Sequence, residues 1–172
     1  EAHDLIFDVD HLMKASSIPP WLCSQIKAVK ARVLLRQGRK DKLLQWIGDH
    51  GLKVDGEYTV LREPENIMHA RILFDQDRLD EALEVTDRLL QVQGKDSRVL
   101  NQIETLIIKS FILKKMQETT KSIDAMVGAL TLAEPGRYIR VFVDEGRPLG
   151  ELLEAIEDFG TKSVKEFAKK LL

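Results

Sequence analysis

The stretch ARVLLRQG at residues 31–38 returns 39 residues later, in altered form, as ARILFDQD at residues 70–77. A further 40 residues on, SFILKKMQ at residues 110–117 keeps the same apolar positions. Repetition at a period of about 20 to 50 residues is typical of stacked-repeat proteins, in which no unit buries its apolar face alone. We therefore expect a protein that binds along an extended surface rather than in a catalytic pocket.

Each copy matches the first helix of a helix-turn-helix pair. Its paired apolar residues share one helix face with a small residue a turn earlier, and its last position, Gly38 in the first copy, lets the backbone turn. In the second helix, a small residue such as Ala82 or Ser122 permits close helix approach. The residues predicted to face inward are Leu43, Leu44 and Ile47, then Ala82, Leu83 and Thr86, then Ser122, Ile123 and Met126.

The beginnings of the helices carry signals of their own. Pro20 and Pro64 suit first-turn positions, where the backbone N–H that proline lacks would have no partner in the helix. Asp96 or Ser97 suits the N-cap before the third unit, because short polar side chains accept hydrogen bonds from the first turn.

A fourth copy is marked by YIRVFVDEG at residues 138–146. Arg140 stands six residues before Gly146, as Arg32 does before Gly38, but the spacing from the third copy is only 29 residues. Its first helix is therefore predicted to be short. The alternative is a β-strand, because these residues are strong β formers, but a single strand would have no partner. In the second helix we expect Leu152, Ala155, Ile156 and Phe159 to face inward.

Five segments together resemble a known family: Pro20-Trp21, residues 31–38, residues 70–73, residues 133–146 and Leu152-Leu153. They are similar to the tetratricopeptide-like helical region of MalT-type regulators, the large ATP-binding members of the bacterial LuxR transcription-factor family. The resemblance covers roughly residues 18 to 156 and is most specific at residues 142–146. The chain departs from the family pattern at three positions: Asp77 and Gln117 replace the turn glycine, and Ser122 replaces an alanine.

This resemblance and the repeats together predict an all-α fold, a right-handed α-solenoid of tetratricopeptide-like helix-turn-helix repeats. We expect residues 1–172 to form a single domain that is a fragment of a larger multidomain regulator. The terminal helix is predicted to place Val164, Phe167, Ala168 and Leu171 on one face. The predicted repeat units are approximately residues 18–51, 64–93, 97–133 and 137–160, followed by the terminal helix at 161–172.

Composition narrows the possible functions. The apolar runs are too short to span a bilayer, and the start of the chain lacks the apolar core of a signal peptide. A single cysteine, Cys23, suits a reducing compartment, so we expect a cytoplasmic protein with no membrane contact. The net charge of −2 argues against a nucleic-acid surface, which needs clustered basic side chains.

The sequence shows no catalytic or metal-binding constellation. It contains no Gly-x-x-x-x-Gly-Lys-Ser/Thr phosphate loop, so no cofactor is expected in this segment, and the resemblance implies that ATP binds a separate domain of the full-length protein. The one group of potential ligands near in sequence, His3, Asp4, Asp8 and His11, fits an exposed polar stripe better than a metal site. We predict that the chain is not an enzyme, with no catalytic and no metal-ligating residue.

A stripe of charged residues is the candidate site. Equivalent places in the four first helices hold pairs spaced four residues apart, and in tetratricopeptide-like solenoids the first helices line the concave surface. The alternative is that Arg71 with Asp75, and Arg140 with Asp144, form intrahelical ion pairs worth about 0.2 to 0.5 kcal/mol. The candidate contacts for a ligand or partner are Arg32, Arg36, Arg71, Asp75, Lys115, Arg140 and Asp144.

The resemblance implies an effector-sensing and protein-interaction domain of a bacterial LuxR-type transcription activator. Such a domain receives a small-molecule inducer or a regulatory protein and controls ATP-dependent self-association and DNA binding by other domains. Direct binding of nucleic acid by this segment is not expected. The alternative is a free-standing tetratricopeptide-like scaffold that binds a peptide or a protein partner.

Overall fold

The computed structural model describes residues 18–94, 98–156 and 159–171. Over these residues the backbone forms α-helices and one short 3-10 helix, Val60–Arg62, and no strand, which confirms the predicted all-α class. The α-helices are α1 (Pro20–Arg36), α2 (Lys40–Asp49), α3 (Glu63–Asp75), α4 (Leu79–Val92), α5 (Val99–Lys115), α6 (Thr119–Ala133), α7 (Arg140–Val143), α8 (Arg147–Ala155) and α9 (Lys162–Lys169).

The fourth copy contains the four-residue helix α7 within the segment that could have been a strand. The predicted helix is therefore confirmed over the strand alternative, and it is as short as the narrow spacing requires. The pairs α1 with α2, α5 with α6 and α7 with α8 fall within the predicted unit ranges, whereas α3 begins at Glu63, one residue before its range.

Helix beginnings follow the sequence signals where the structure describes them. Pro20 and Pro64 lie in the first turns of α1 and α3, as predicted. Helix α5 begins at Val99 with Arg98 in the N-cap position. Three predictions lie outside what the structure describes: the N-cap at Asp96 or Ser97, the inward-facing side chain of Ala155, and the polar stripe of His3, Asp4, Asp8 and His11.

The turns within the first three pairs share one hydrogen-bonded motif. After α1, the N–H of Arg39 donates to the carbonyl of Leu34, and the N–H of Gly38 donates to the carbonyl of Leu35, both at 3.0 Å. This Schellman arrangement requires a left-handed residue directly after the C-cap residue of the helix. Equivalent bonds end α3 and α5. The left-handed residues are Gly38, Asp77 and Gln117, with φ of 65°, 64° and 64°.

Small residues occupy the interior faces of the paired helices. The first helices place Ala31, Ala70 and Ser110 in the core, and the second helices place Ala82 and Ser122 there, each at most 1% exposed. The close contact also gives the buried Ser122 hydroxyl a hydrogen-bond partner, because it donates to the backbone oxygen of Ser110 at 2.8 Å. The predicted small residues therefore do bring the helices together.

Among the side chains that the structure describes, two that were predicted to face inward are exposed. Leu44 is 54% exposed, because it lies about 100° around α2 from Leu43, and Trp46 takes the inward place at 4% exposure. Phe159 is 45% exposed, because α8 has already ended at Ala155 and helical spacing no longer positions it. Both errors come from extending one apolar face past its geometric limits.

Helix α9 closes the core at its far end. Val164, Phe167 and Ala168 are buried and Leu171 is half-buried, so the predicted apolar face is confirmed. The helix packs on α6, and the ring of Phe167 meets the fully buried ring of Phe142 edge-on, with 6.2 Å between centroids. This contact covers the apolar side of the short helix α7.

The left-handed turns predict opposite effects for two substitutions. Replacing Gln117 by glycine removes the steric cost of a side chain at positive φ, so Gln117→Gly should raise the unfolding free energy by about 0.5 to 1 kcal/mol. Gly38→Ala should lower it by a similar amount, although an added Cβ meets nothing within 4 Å. Urea denaturation of both variants measures the difference, and a Gln117→Gly protein less stable than the parent would contradict the assignment.

One buried histidine links stability to pH. His69 of α3 is 4% exposed, and its Nδ1 has no hydrogen-bond partner in the described part of the chain. Burial, with help from the charge of Arg78 and against that of Glu81, lowers the pKa of His69 to about 4. The folded protein therefore holds this imidazole neutral at pH values where the unfolded chain would protonate it.

The expected result is a loss of stability in mild acid. Because the unfolded state binds the extra proton between about pH 6.5 and pH 4, the unfolding free energy should fall through that window by up to about 3 kcal/mol as His69 becomes protonated on unfolding. Urea denaturation at several pH values tests this. The variant His69→Gln should show a flatter profile, and a profile parallel to that of the parent would exclude His69 as the cause.

Candidate functional site

The first helices of the four pairs converge on one side of the molecule. Helix α1 contacts α3, α3 contacts α5, and α5 contacts α7. Arg32 of α1 also reaches past α3 and donates to Glu104 of α5 at 2.5 Å. Helices that are not neighbours in the stack therefore meet across a groove, whose walls are α1, α3, α5, α7 and the start of α8.

Arg71 of α3 lies at the centre of this groove. Its guanidinium donates to both carboxylate oxygens of Glu145, at 3.0 and 2.5 Å, and lies 4.0 Å from Glu104. The three side chains are only 13%, 15% and 14% exposed. Burial alone lowers the pKa of Arg71, but the charges of Glu145 and Glu104 outweigh it and raise the pKa above its ordinary value. This paired fork ties α3 to the turn that follows α7.

The predicted intrahelical pair of Arg71 with Asp75 is therefore wrong. A two-bond fork to a carboxylate inside the groove outcompetes a single exposed contact four residues along the same helix. The second predicted intrahelical pair does form, since the Nε of Arg140 lies 3.1 Å from a carboxylate oxygen of Asp144. The Arg140 side chain is 90% exposed, so this pair contributes little to stability.

Two cavities lie in the groove and share Arg71 and Glu145 in their linings. The polar cavity has a volume of 310 Å³ and is lined mainly by charged side chains from α1, α3, α5 and α7. The apolar cavity has a volume of 510 Å³, with walls from α1, α3, α5 and α8. Its apolar lining residues are Leu35, Phe74, Ile108, Phe111 and Pro148.

All seven residues of the predicted stripe line one of these cavities. Five of them, Arg32, Arg36, Arg71, Arg140 and Asp144, line the polar cavity. Asp75 and Lys115 line the apolar cavity, which Arg71 also reaches. The structure thus brings the stripe together, and contact of these residues with a ligand stays a prediction.

Sequence reasoning missed four charged residues of the groove. Glu104 and Glu145 hold the central arginines, and Lys114 and Glu151 pair at 2.8 Å beside the apolar cavity. A signal for Glu104 was present, because it lies two helical turns before Phe111 on the same face of α5. The surplus of arginines in the stripe was a second signal, since guanidinium groups that share a partly buried groove need carboxylates nearby.

The chemistry available in the groove is recognition of charge and apolar surface. Arginine keeps its proton at any physiological pH, so a cluster of guanidinium groups binds anions rather than transferring protons. Among the described residues, no group of three or more His, Cys, Asp and Glu side chains is placed to hold a metal ion. No helix in the described ranges combines the length and the apolar content needed to cross a membrane.

Removing the central arginine should be costly. Arg71→Ala leaves Glu145 buried without its partner, so we expect the unfolding free energy to fall by about 3 to 5 kcal/mol. The exposed control Arg140→Ala should change it by less than about 1 kcal/mol. Replacing both partners by apolar residues, Arg71→Met with Glu145→Leu, should restore most of the loss, because no charge is then left unpaired. Equal, small effects of Arg71→Ala and Arg140→Ala in urea denaturation would contradict a buried pair.

Comparison with known proteins identifies the family. The family model described as the MalT-like TPR region matches residues 1–158. No curated protein and no solved structure matches the chain significantly. The match extends over most of the chain, and the helix pairs and the groove described above agree with tetratricopeptide-like (TPR) architecture. The chain therefore belongs to the family of MalT-like TPR regions.

Proposed function

We propose that this chain is the effector-sensing domain of a bacterial LuxR-type transcription activator. The observation that carries the proposal is the groove, because it gathers charged and apolar side chains from all four helix pairs. The family match supports a helical repeat domain for interaction with a protein or an effector. The stack is proposed to coil with the right-handed sense usual for tetratricopeptide arrays.

Sensing follows from the way the groove is built. A ligand that contacts residues from several helix pairs binds one curvature of the stack more tightly than another, and it shifts the population by that difference in affinity. The effector is either a small-molecule inducer or a regulatory protein. In the full-length protein, the shifted state favours ATP-dependent self-association and DNA binding, which other domains perform in the cytoplasm.

The chain itself is proposed to have neither enzymatic activity nor direct contact with DNA. Most of the groove arginines are engaged by carboxylates from the chain, which leaves few free to contact phosphates, and the net charge of −2 opposes a nucleic-acid surface. ATP is proposed to bind a separate domain, because the sequence has no phosphate loop.

The alternative function is a free-standing scaffold for a peptide or protein. One observation favours it: exposed ion pairs such as Lys114 with Glu151 and Lys115 with Asp77 lie beside apolar walls, as in grooves that hold extended peptides. The two functions differ in what the remainder of the protein does. Measuring ATP hydrolysis and DNA binding for the isolated chain and for the intact protein separates them.

The proposal predicts a clear division of activities. The isolated chain should hydrolyse no ATP and should bind labelled promoter DNA only weakly, with an affinity that falls steeply as salt rises. The intact protein should hydrolyse ATP and should bind promoter DNA with an affinity that depends on the DNA sequence. Phosphate-release assays and DNA titrations at physiological salt provide the measurements. Nanomolar, sequence-dependent binding by the isolated chain would overturn the proposal, and an intact protein with neither activity would favour the scaffold.

A further inference from the structure

The polar cavity carries one more positive than negative side chain. Arg36, in the last turn of α1, lines it without a hydrogen-bond or ion-pair partner among the described residues. No carboxylate of the described residues engages its guanidinium, which is therefore open to a further negative group. Three carboxylates match the other three arginines: Glu104 pairs with Arg32 and lies 4.0 Å from Arg71, Glu145 pairs with Arg71, and Asp144 pairs with Arg140.

A second guanidinium can join Arg36 at low cost. Arg140 comes from α7, lines the same cavity, and holds Asp144 only through an exposed ion pair, which stabilises the protein little. Arg36 and Arg140 thus come from two different walls of one cavity. The planar fork of each guanidinium matches the oxygens of a carboxylate or a phosphate group.

The other end of the groove suits an apolar group. The apolar cavity is bounded by the rings of Phe74 and Phe111 and by Ile108. Its volume of 510 Å³ lies within the range of about 300 to 1,000 Å³ that small-molecule sites occupy. The charged residues that line this cavity balance one another, so this end has no surplus charge to attract an anion. The three positive ones are Arg71, Lys114 and Lys115, and the three negative ones are Asp75, Glu145 and Glu151.

The two ends are adjacent, because Leu35, Arg71 and Glu145 line both cavities. We propose that the groove binds a small amphipathic anion, with its carboxylate or phosphate between Arg36 and Arg140 and its alkyl or aromatic body against Phe74 and Phe111. This inference rests on the proposed sensing function and names the chemical class of its effector. A neutral polyol would leave Arg36 without a counter-charge and the aromatic walls uncovered.

A matched set of eight-carbon probes tests each half of the proposal. The full chain is titrated with octanoate, octyl phosphate, octanol and octylammonium, and chemical shifts of backbone amides report both affinity and location. Octanoate and octyl phosphate should shift amides of residues 32–36 and 104–111. Octanol should bind at least tenfold more weakly, and octylammonium more weakly still.

Substitutions test which end of the groove binds the anionic group and which end binds the alkyl chain. Arg36→Gln should weaken octanoate binding about tenfold and leave octanol unchanged. Arg39→Gln removes the same charge three residues away, outside both cavities, and should change neither affinity. Phe74→Leu should weaken all the octyl probes to a similar extent, because it alters the wall that contacts the alkyl chain.

Several outcomes would overturn the inference. Equal affinity for octanol and octanoate would exclude an anion-selective end, and equal loss with Arg36→Gln and Arg39→Gln would place the charge effect elsewhere. No binding of any probe at millimolar concentration would exclude the class of ligand. Tighter binding of an oligoglutamate peptide than of octanoate would assign the groove to an acidic peptide. None of these results decides whether the chain belongs to a LuxR-type activator, which the ATP and DNA assays test separately.

Discussion

The close approach of paired helices at small residues determines the rest of the structure. Ala31, Ala70 and Ser110 face the core, and the residue after each of them is turned by about 100° towards the groove. Those following residues are Arg32, Arg71 and Phe111, all of which line the cavities. Packing between the paired helices thus determines which side chains face the groove. A longer side chain at the contact would rotate or displace the helix that carries the groove residue.

The fourth pair shows what happens when this constraint is relaxed. Its equivalent of the small residue is Ile139, which is 41% exposed, and the side chain of the following Arg140 is 90% exposed although it lines the polar cavity. The centre and the edge of the groove therefore differ. A buried, two-bond pair holds Arg71 in place, whereas Arg140 has only an exposed ion pair and Arg36 has no partner among the described residues. A rigid centre with adaptable edges suits recognition that requires only local movement.

Sequence alone predicted the features that depend on local geometry. The period predicts the helix pairs, the position of Gly38 predicts turns that Asp77 and Gln117 keep without glycine, and the register predicts which residues share the groove. It did not predict the partner of Arg71, because Glu145 is 74 residues away and belongs to the irregular copy. Contacts across several repeats depend on how far the stack curves, which no single repeat encodes.

The sequence distance between Arg71 and Glu145 also bears on the order of folding. Most contacts in a helical stack join neighbouring segments and form quickly, whereas this ion pair closes a loop of 74 residues and requires the intervening helices to be in place. We expect it to form after the main folding barrier. The ion pair would then lower the rate of unfolding far more than it raises the rate of folding. Its main effect is therefore on how long the folded domain persists.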